Sequence, residues 1–184
     1  MRHPDLLDKN NTTLVVVDLQ EPFLRSIFER ERVVANSVTL IRAAKILGLP
    51  TVATLQYPER MGDMIPEVLE ALPEDARIGK TAFSCCGSDE FRDKMSEIGR
   101  PTALVCGVES HICVNQTVHD LLVAGYKVHV AKDAISSRTK ANYKIGVEKM
   151  RQAGAIITSV ETAIFELLAD AKASEFKQIL ELVK

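Results

Sequence analysis

The chain has 184 residues, of which 46% are hydrophobic and 26% are charged. These values are typical of a globular protein that buries one substantial core, so we expect a single domain over residues 1–184. The net charge of −2 at pH 7 provides no basic surface for nucleic acid or for anionic lipid. The ligand classes that remain are a small-molecule substrate and a protein partner.

No apolar run approaches the roughly 18 residues that a membrane span needs, and MRHPDLLDKNNTT lacks the apolar core of a signal peptide. We therefore expect a cytoplasmic protein without membrane contact. Thiols are normally kept reduced in that compartment. The four cysteines, Cys85, Cys86, Cys106 and Cys113, are thus predicted to be free, and the question is which of them is reactive.

The predicted elements alternate between strands and helices. TTLVVVDLQ, residues 12–20, is a β-branched apolar run of the kind that is buried on both faces of a parallel sheet. Residues 29–47 repeat apolar side chains at helical spacing, and Gly48 ends that helix. The same patterns predict strands over residues 50–56, 77–84, 101–107, 127–134 and 155–160, and helices over 66–72, 89–98, 114–124, 139–152, 161–169 and 174–183.

This alternation predicts an α/β fold, because parallel strands need right-handed crossover connections that place helices on the faces of the sheet. Ligands of such folds bind outside the carboxyl ends of the strands. That position selects Asp18, Gln20, Gln56, Asp133 and the turn at 107–113 as residues near any site.

The turn before the helix at 114–124 holds the strongest candidate nucleophile, Cys113. A cysteine at a helix start lies near the positive end of the helix dipole and near unpaired backbone N–H groups. Both favour thiolate over thiol, and the N–H groups can hold an oxyanion. Cys106 lies inside a buried strand, where a free cysteine usually acts as a small apolar residue. Cys85 and Cys86 are adjacent, which fits neither a disulfide nor a zinc site, so we expect a structural role for both.

A thiol nucleophile also needs a base or a charge partner. Asp18 ends a buried strand and Lys80 lies in the weakly polar stretch RIGKTAF, so each charge needs a partner. Both residues would lie near Cys113 if the first strand is central in the sheet. The alternative is an ordinary Asp18–Lys80 ion pair that orients the loops.

Other kinds of site are not supported by the spacing of residues. CGVESH does not match G-x-S-x-G, so Ser110 is not expected to be a nucleophile. The sequence has no glycine-rich dinucleotide motif and no P-loop. His111 and His119 lack metal-ligand spacing, and the other histidines form no such pair.

Four separated motifs together resemble the isochorismatase-like cysteine hydrolase family, and they occur in the family's order. They are VVVDLQEPF, TLQYP, GKTAFS and CGVESHICVNQTVHDLLVAGYKVHVAKDAISSR, and the resemblance extends over residues 14–168. GVESHICV, DAISSR and MRQAGAIITSVETAIFELL are most similar to the isochorismatase domain-containing proteins. The resemblance implies a three-layer α/β/α, Rossmann-like fold with a six-stranded parallel sheet of order 3-2-1-4-5-6.

The resemblance also implies roles for individual residues. The family's catalytic triad falls on Asp18, Lys80 and Cys113. A cis peptide falls on Val108–Glu109, and the backbone N–H groups of Glu109 and Cys113 would form the oxyanion hole. Asp18 would accept the thiol proton, and Lys80 would stabilise the charged pair and position the leaving group. Cys113 would then form a thioester with an amide-like substrate, without a cofactor.

Two differences from relatives bear on the substrate. Relatives that hydrolyse the vinyl ether of isochorismate lack a cysteine at the position of Cys113, so a C–N bond is the preferred target. Nicotinamidase relatives hold a metal through an Asp and two His after the second strand, whereas residues 56–64 contain no histidine, so no metal is expected. Two alternatives stay open. One is a non-catalytic or redox-sensing interaction protein with the same fold, and the other is vinyl ether hydrolysis of isochorismate.

Gln20, Phe23, Gln56, Phe83 and His111 are predicted to line the substrate pocket. Relatives are commonly homo-oligomers, so we expect a homo-oligomer. The C-terminal segment SEFKQILELVK has an apolar stripe that suits either a partner surface or packing on the chain's own core.

Overall fold

The computed structural model describes residues 2–184. Six parallel strands form one sheet with the order 3-2-1-4-5-6, which confirms the predicted arrangement. The strands are β1 (Thr12–Val17), β2 (Thr51–Gln56), β3 (Arg77–Lys80), β4 (Thr102–Val108), β5 (Lys127–Ser136) and β6 (Ile156–Thr158).

Helices cover both faces of the sheet and complete the three-layer α/β/α architecture. One face packs against α2, α4, α8 and α9, and the other packs against α5, α6 and α7. The helices are α1 (Glu21–Leu24), α2 (Arg30–Ile46), α3 (Pro58–Met61), α4 (Pro66–Ala71), α5 (Asp89–Ile98), α6 (Cys113–Val123), α7 (Lys140–Gln152), α8 (Val160–Leu168) and α9 (Phe176–Val183).

The sequence of strand β1 is apolar without interruption because both faces of the strand are buried. Leu14 and Val16 contribute to the core on one face of the sheet, and Val15 and Val17 contribute to the core on the other. All four are fully buried. A strand between two helical layers has no solvent-facing side, so the period-2 alternation of polar and apolar residues is lost.

The predicted elements differ from the observed ones mainly at their ends. Strand β3 stops at Lys80, and the segment that was expected to continue it leads instead into a 3₁₀ turn at Cys85–Gly87. Helix α6 begins at Cys113 itself. The C-terminal stripe packs on the chain's own core through the buried Ile179 of α9. Among residues 2–184, no helix is both long and apolar enough to cross a membrane.

Gly107 permits the close contact between β1 and β4, the point at which the strand order reverses. It has φ +116°, a conformation that L side chains rarely adopt. A Cβ atom at this position would lie 2.1 Å from the carbonyl oxygen of Val17. Only glycine therefore allows the ends of these two strands to meet, and ligand sites of parallel α/β folds form at this reversal.

Candidate active site

Asp18 is the first residue after β1, and its position is fixed by the neighbouring strand β2. Its backbone has φ +52°, and its N–H donates to the carbonyl oxygen of Thr54 at 3.1 Å. The Thr54 hydroxyl donates to Asp18 Oδ1 at 2.8 Å. With only 1% of its surface exposed, the carboxylate is held in one orientation at the carboxyl edge of the sheet.

Lys80, at the end of β3, is the charge partner of Asp18. Its Nζ lies 2.7 Å from Asp18 Oδ2 and 2.6 Å from Gln56 Oε1. It also lies 3.3 Å and 3.2 Å from the carbonyl oxygens of Ala82 and Phe83. An ammonium has three N–H donors, and these acceptors use all of them. Lys80 thus has no free donor for a ligand, which disagrees with the expectation that it positions the leaving group.

The environment makes Asp18 a stronger base than an ordinary aspartate. Burial raises the pKa of its carboxyl, and the Lys80 ammonium and the Thr54 hydroxyl oppose this change without cancelling it. A carboxylate with a raised pKa accepts a proton more readily. The Asp18–Lys80 pair therefore combines a fixed position with basicity.

Cys113 is the first residue of α6 and is 8% exposed. Burial raises the pKa of its thiol well above the ordinary value, and the negative charge of Asp18 raises it further, whereas Lys80 acts in the opposite direction. The expectation of a Cys113 thiolate is therefore not met, since burial and the nearby carboxylate favour the neutral thiol. Cys113 rests as a thiol beside a base.

The turn between β4 and α6 presents backbone N–H groups near this thiol. The peptide bond Val108–Glu109 is cis. Within residues 2–184, the N–H groups of Ser110, Ile112 and Val114 donate to backbone carbonyls, whereas those of Glu109, His111 and Cys113 do not. Of these three residues, Glu109 and Cys113 line the cavity described below, whereas His111 does not.

Glu109 forms a second ion pair at the same edge of the sheet. Its carboxylate accepts from Arg138 Nη2 at 2.7 Å, from Nε at 3.1 Å and from the Arg138 backbone N–H at 2.8 Å. Burial acts to raise the pKa of Glu109, but these hydrogen bonds prevail and lower it. The carboxylate is therefore ionised at neutral pH and bound to a guanidinium whose side chain is 55% exposed.

These groups enclose a cavity of about 110 Å³. Gln20 and His111 were predicted to face the substrate but are not among its lining residues. The amide of Gln20 instead bonds the backbone of Gln56 and Gly62, and His111 Nδ1 lies 2.9 Å from the Ser137 hydroxyl. The cavity is lined by Asp18, Phe23, Gln56, Phe83, Val108, Glu109, Ile112, Cys113 and Arg138.

The other three cysteines differ from Cys113 in their surroundings. All four are free, as predicted. Cys106 is fully buried in β4, and burial raises its pKa to about 12. Cys85 is also fully buried, with Sγ 3.4 Å from the Thr54 hydroxyl. Neither of these two lines the cavity, and nor does the half-buried Cys86.

Three residues of this site were not identified from the sequence. Thr54 orients Asp18, Arg138 pairs with Glu109, and Ile112 forms part of the apolar wall. Thr54 had a usable signal, because it lies two residues before Gln56 and shares its side of β2. Arg138 ends the motif DAISSR, but no local pattern connects it with Glu109.

Larger grooves on the surface lack this chemistry. One groove of about 600 Å³ runs beside β6 and is lined by His129, Arg32 and Tyr143, among others, without a cysteine. Among residues 2–184, no three His, Cys, Asp or Glu side chains lie close enough to hold a metal ion together. The small cavity at the end of β1 is therefore the candidate site.

The fold is that of a parallel α/β protein, and the candidate site lies where the strand order reverses. The model of the isochorismatase domain matches residues 12–162. The chain belongs to the isochorismatase family, a family of hydrolases.

Two relatives above 35% identity agree with this assignment, and a more distant solved structure shares the fold. The secreted isochorismatase effector Isc1 of Phytophthora sojae is 41% identical over 95% of this chain and 85% of its own length. A solved structure of MAR1 ribonuclease from Caenorhabditis elegans is 37% identical, covers 97% of this chain and 92% of its own, and has a TM-score of 0.91. The YcaC protein of Escherichia coli, called an octameric hydrolase of unknown specificity, is 22% identical over 99% and 92% of the two chains, with a TM-score of 0.91.

Proposed function

We propose that this chain is a hydrolase that cleaves the C–N bond of a small amide-like substrate through a thioester on Cys113, without a cofactor. One observation carries this proposal. The Cys113 thiol lines the same small cavity as a buried carboxylate with a raised pKa, Asp18. A nucleophile beside its own base is the arrangement that covalent acyl transfer needs.

The first half of the reaction forms the thioester. Asp18 accepts the thiol proton as Cys113 Sγ bonds to the carbonyl carbon, so charge moves from sulfur to the substrate oxygen. The N–H groups of Glu109 and Cys113 donate to that oxyanion. When the intermediate collapses, the C–N bond breaks, protonated Asp18 returns its proton to nitrogen, and ammonia or an amine leaves.

The second half releases the acid. Asp18, again ionised, accepts a proton from a water molecule whose oxygen bonds to the thioester carbon. The C–S bond then breaks, and the sulfur takes the proton from Asp18. The thiol and the carboxylate are restored, and the net reaction is hydrolysis of an amide.

Lys80 acts in this scheme as a positioning residue. Its 2.7 Å bond to Asp18 Oδ2 keeps that carboxylate ionised and aimed while the other oxygen bonds Thr54. Its contacts with the carbonyls of Ala82 and Phe83 hold the loop that carries Phe83, one of the aromatic residues that line the cavity. Because its donors are all in use, protonation of the leaving group falls to Asp18.

The same site gives little support to a redox-sensing role. Oxidation of a cysteine follows its thiolate content and exposure. Cys113 has a raised pKa and is 8% exposed. Vinyl ether hydrolysis of isochorismate would need neither a thiol nor an oxyanion hole for a carbonyl oxygen.

Assembly and location belong to the proposal as well. We expect a homo-oligomer, a view supported by the octameric state that is stated for the YcaC neighbour. A cytoplasmic location fits four free thiols, although the relative Isc1 is called secreted.

A hydrolysis screen tests the proposed function. Purified protein is incubated with small amides, carbamoyl compounds, isochorismate and single-stranded RNA, and ammonia and acid products are quantified. We expect release of ammonia from an amide, its loss in Cys113→Ala and its retention in Cys106→Ala. Turnover of isochorismate or RNA alone, or amide turnover that survives Cys113→Ala, would replace this proposal.

A further inference from the structure

We infer that the substrate is an uncharged amide of about four to six non-hydrogen atoms, and that the Glu109–Arg138 pair selects against anionic substrates. This inference rests on the proposed function for the reaction, and it goes further by naming the class of substrate. It depends on the charges, the free donors and the volume of the cavity.

The charges that face the cavity cancel in two pairs. Asp18 is bound to Lys80 at 2.7 Å, and Glu109 is bound to Arg138 at 2.7 Å. His111 lies 4.0 Å from the Glu109 carboxylate, but burial lowers its pKa, so it is neutral at pH 7. A charged ligand would therefore lose its hydration without gaining an unpaired partner of opposite sign.

Most polar side chains that line the cavity already have hydrogen-bond partners. Lys80 has no spare donor, and the Gln56 amide is bound to Lys80 and to the carbonyl of Thr81. The backbone N–H groups of Glu109 and Cys113 remain, beside the unused N–H groups of the Arg138 guanidinium, whose charge is already matched by Glu109. The rest of the wall is apolar and is formed by Phe23, Phe83, Val108 and Ile112.

The volume of the cavity limits the size of the substrate. A space of about 110 Å³ equals the liquid volume of roughly four water molecules, far below the roughly 300 Å³ of pockets for drug-sized ligands. Isochorismate has a ring and two carboxylates, so its size and its charge both conflict with this cavity. An amide such as butanamide fits both limits.

Two alkylating reagents of nearly equal size test the charge selection without the need for turnover. Iodoacetamide is neutral and iodoacetate is an anion, and the rate of modification at Cys113 is followed by peptide mass spectrometry. The ratio of the two rates is compared with the same ratio for glutathione at equal pH, which corrects for the intrinsic reactivity of each reagent. We expect Cys113 to favour the neutral reagent by about tenfold more than glutathione does.

Variants of the ion pair then shift that ratio in opposite directions. Glu109→Gln leaves an unpaired guanidinium and should move selection toward iodoacetate, again by about tenfold. Arg138→Gln leaves an unpaired carboxylate and should disfavour iodoacetate further. The double variant E109Q/R138Q should return close to the parent ratio. Because each ratio is measured within one variant, a general change in reactivity cancels.

Hydrolysis of butanamide and of succinamate, which carries an added carboxylate, separates this inference from the proposed function. If butanamide and succinamate are hydrolysed equally well through Cys113, the function stands and the inference fails. If neither is hydrolysed but the alkylation ratios follow the prediction, the charge selection stands and the hydrolase proposal fails. A parent ratio equal to that of glutathione, or variants that shift it in one direction, would overturn the inference.

Discussion

Removal of the Lys80 ammonium should destabilise the protein, because the buried Asp18 carboxylate then has no cation to neutralise it. Lys80→Met keeps most of the aliphatic stem but leaves Asp18 unpaired, and the two side chains are 0% and 1% exposed. Loss of one partner of a buried ion pair typically costs about 3–5 kcal/mol. We expect a loss of that size in the free energy of unfolding at pH 7, measured by urea denaturation at a fixed protein concentration.

The same strand offers a matched control. Arg77 of β3 pairs with Asp63 at 2.5 Å, but these side chains are 39% and 46% exposed. Solvent screens such a pair, so Arg77→Met should cost only about 0–1 kcal/mol. The contrast between two cations three residues apart isolates the effect of burial.

The pH dependence of the Lys80→Met deficit gives a second check. Without Lys80, the largest influence that lowers the pKa of Asp18 is gone and burial is opposed only by weaker hydrogen bonds, so the folded pKa of its carboxyl rises further above the unfolded value. A group with a raised folded pKa loses stability as pH rises through that pKa. The loss of unfolding free energy in Lys80→Met should thus shrink as pH falls from 7 toward 4. Adding Asp18→Asn to Lys80→Met should recover part of that loss at pH 7. A deficit no larger than that of Arg77→Met, or one that grows at low pH, would refute the reasoning.

Three other predictions follow from single positions. The buried imidazole of His129 has no hydrogen-bond partner among residues 2–184, and burial lowers its pKa to about 4, below the unfolded value. The free energy of unfolding should therefore fall by up to about 3 kcal/mol as pH drops from 6.5 to 4. Urea denaturation at several pH values should show a flatter pH dependence for His129→Gln. The same pH dependence in both proteins would contradict this prediction. A Cβ atom at Gly146 of α7 would lie 2.5 Å from the Ser110 carbonyl oxygen. Because backbone atoms must move to relieve this contact, Gly146→Ala should lower the free energy of unfolding by about 1–3 kcal/mol and, by displacing the turn, lower kcat/KM for the amide by about 100-fold. Unchanged kcat/KM would argue against a role of this turn. Native Cys106 should resist iodoacetamide while Cys113 reacts, and peptide mapping that finds equal labelling would mean that β4 opens readily.

The general fold could be predicted from the sequence because its signals are local or follow from topology. Runs such as residues 12–17 are apolar throughout only when both sides of a strand are buried, and glycines mark the ends of the helices. The carboxyl-end rule placed Asp18 and the turn before Cys113 at one edge. The sheet order itself came from the family resemblance.

Side-chain direction and electrostatic balance could not be predicted in the same way. Gln20 lies at the correct edge, but its amide satisfies the backbone of Gln56 and Gly62 instead of facing the cavity. The position of Cys113 at a helix start can be read from the sequence, whereas the burial that raises the pKa of its thiol depends on the packing of distant segments. The pairing of Glu109 with Arg138 joins residues 29 positions apart, and no periodic pattern encodes it.

Partitioning with hydroxylamine shows directly whether Cys113 carries a thioester during turnover. Hydroxylamine attacks an acyl thioester faster than water does and converts it to a hydroxamate. With butanamide as substrate, we expect hydroxamate to appear at the expense of butanoate while ammonia release is not slowed, and we expect Cys113→Ala to form neither product. Butanoate formation that hydroxylamine leaves unchanged, or that continues in Cys113→Ala, would contradict a covalent intermediate on this cysteine.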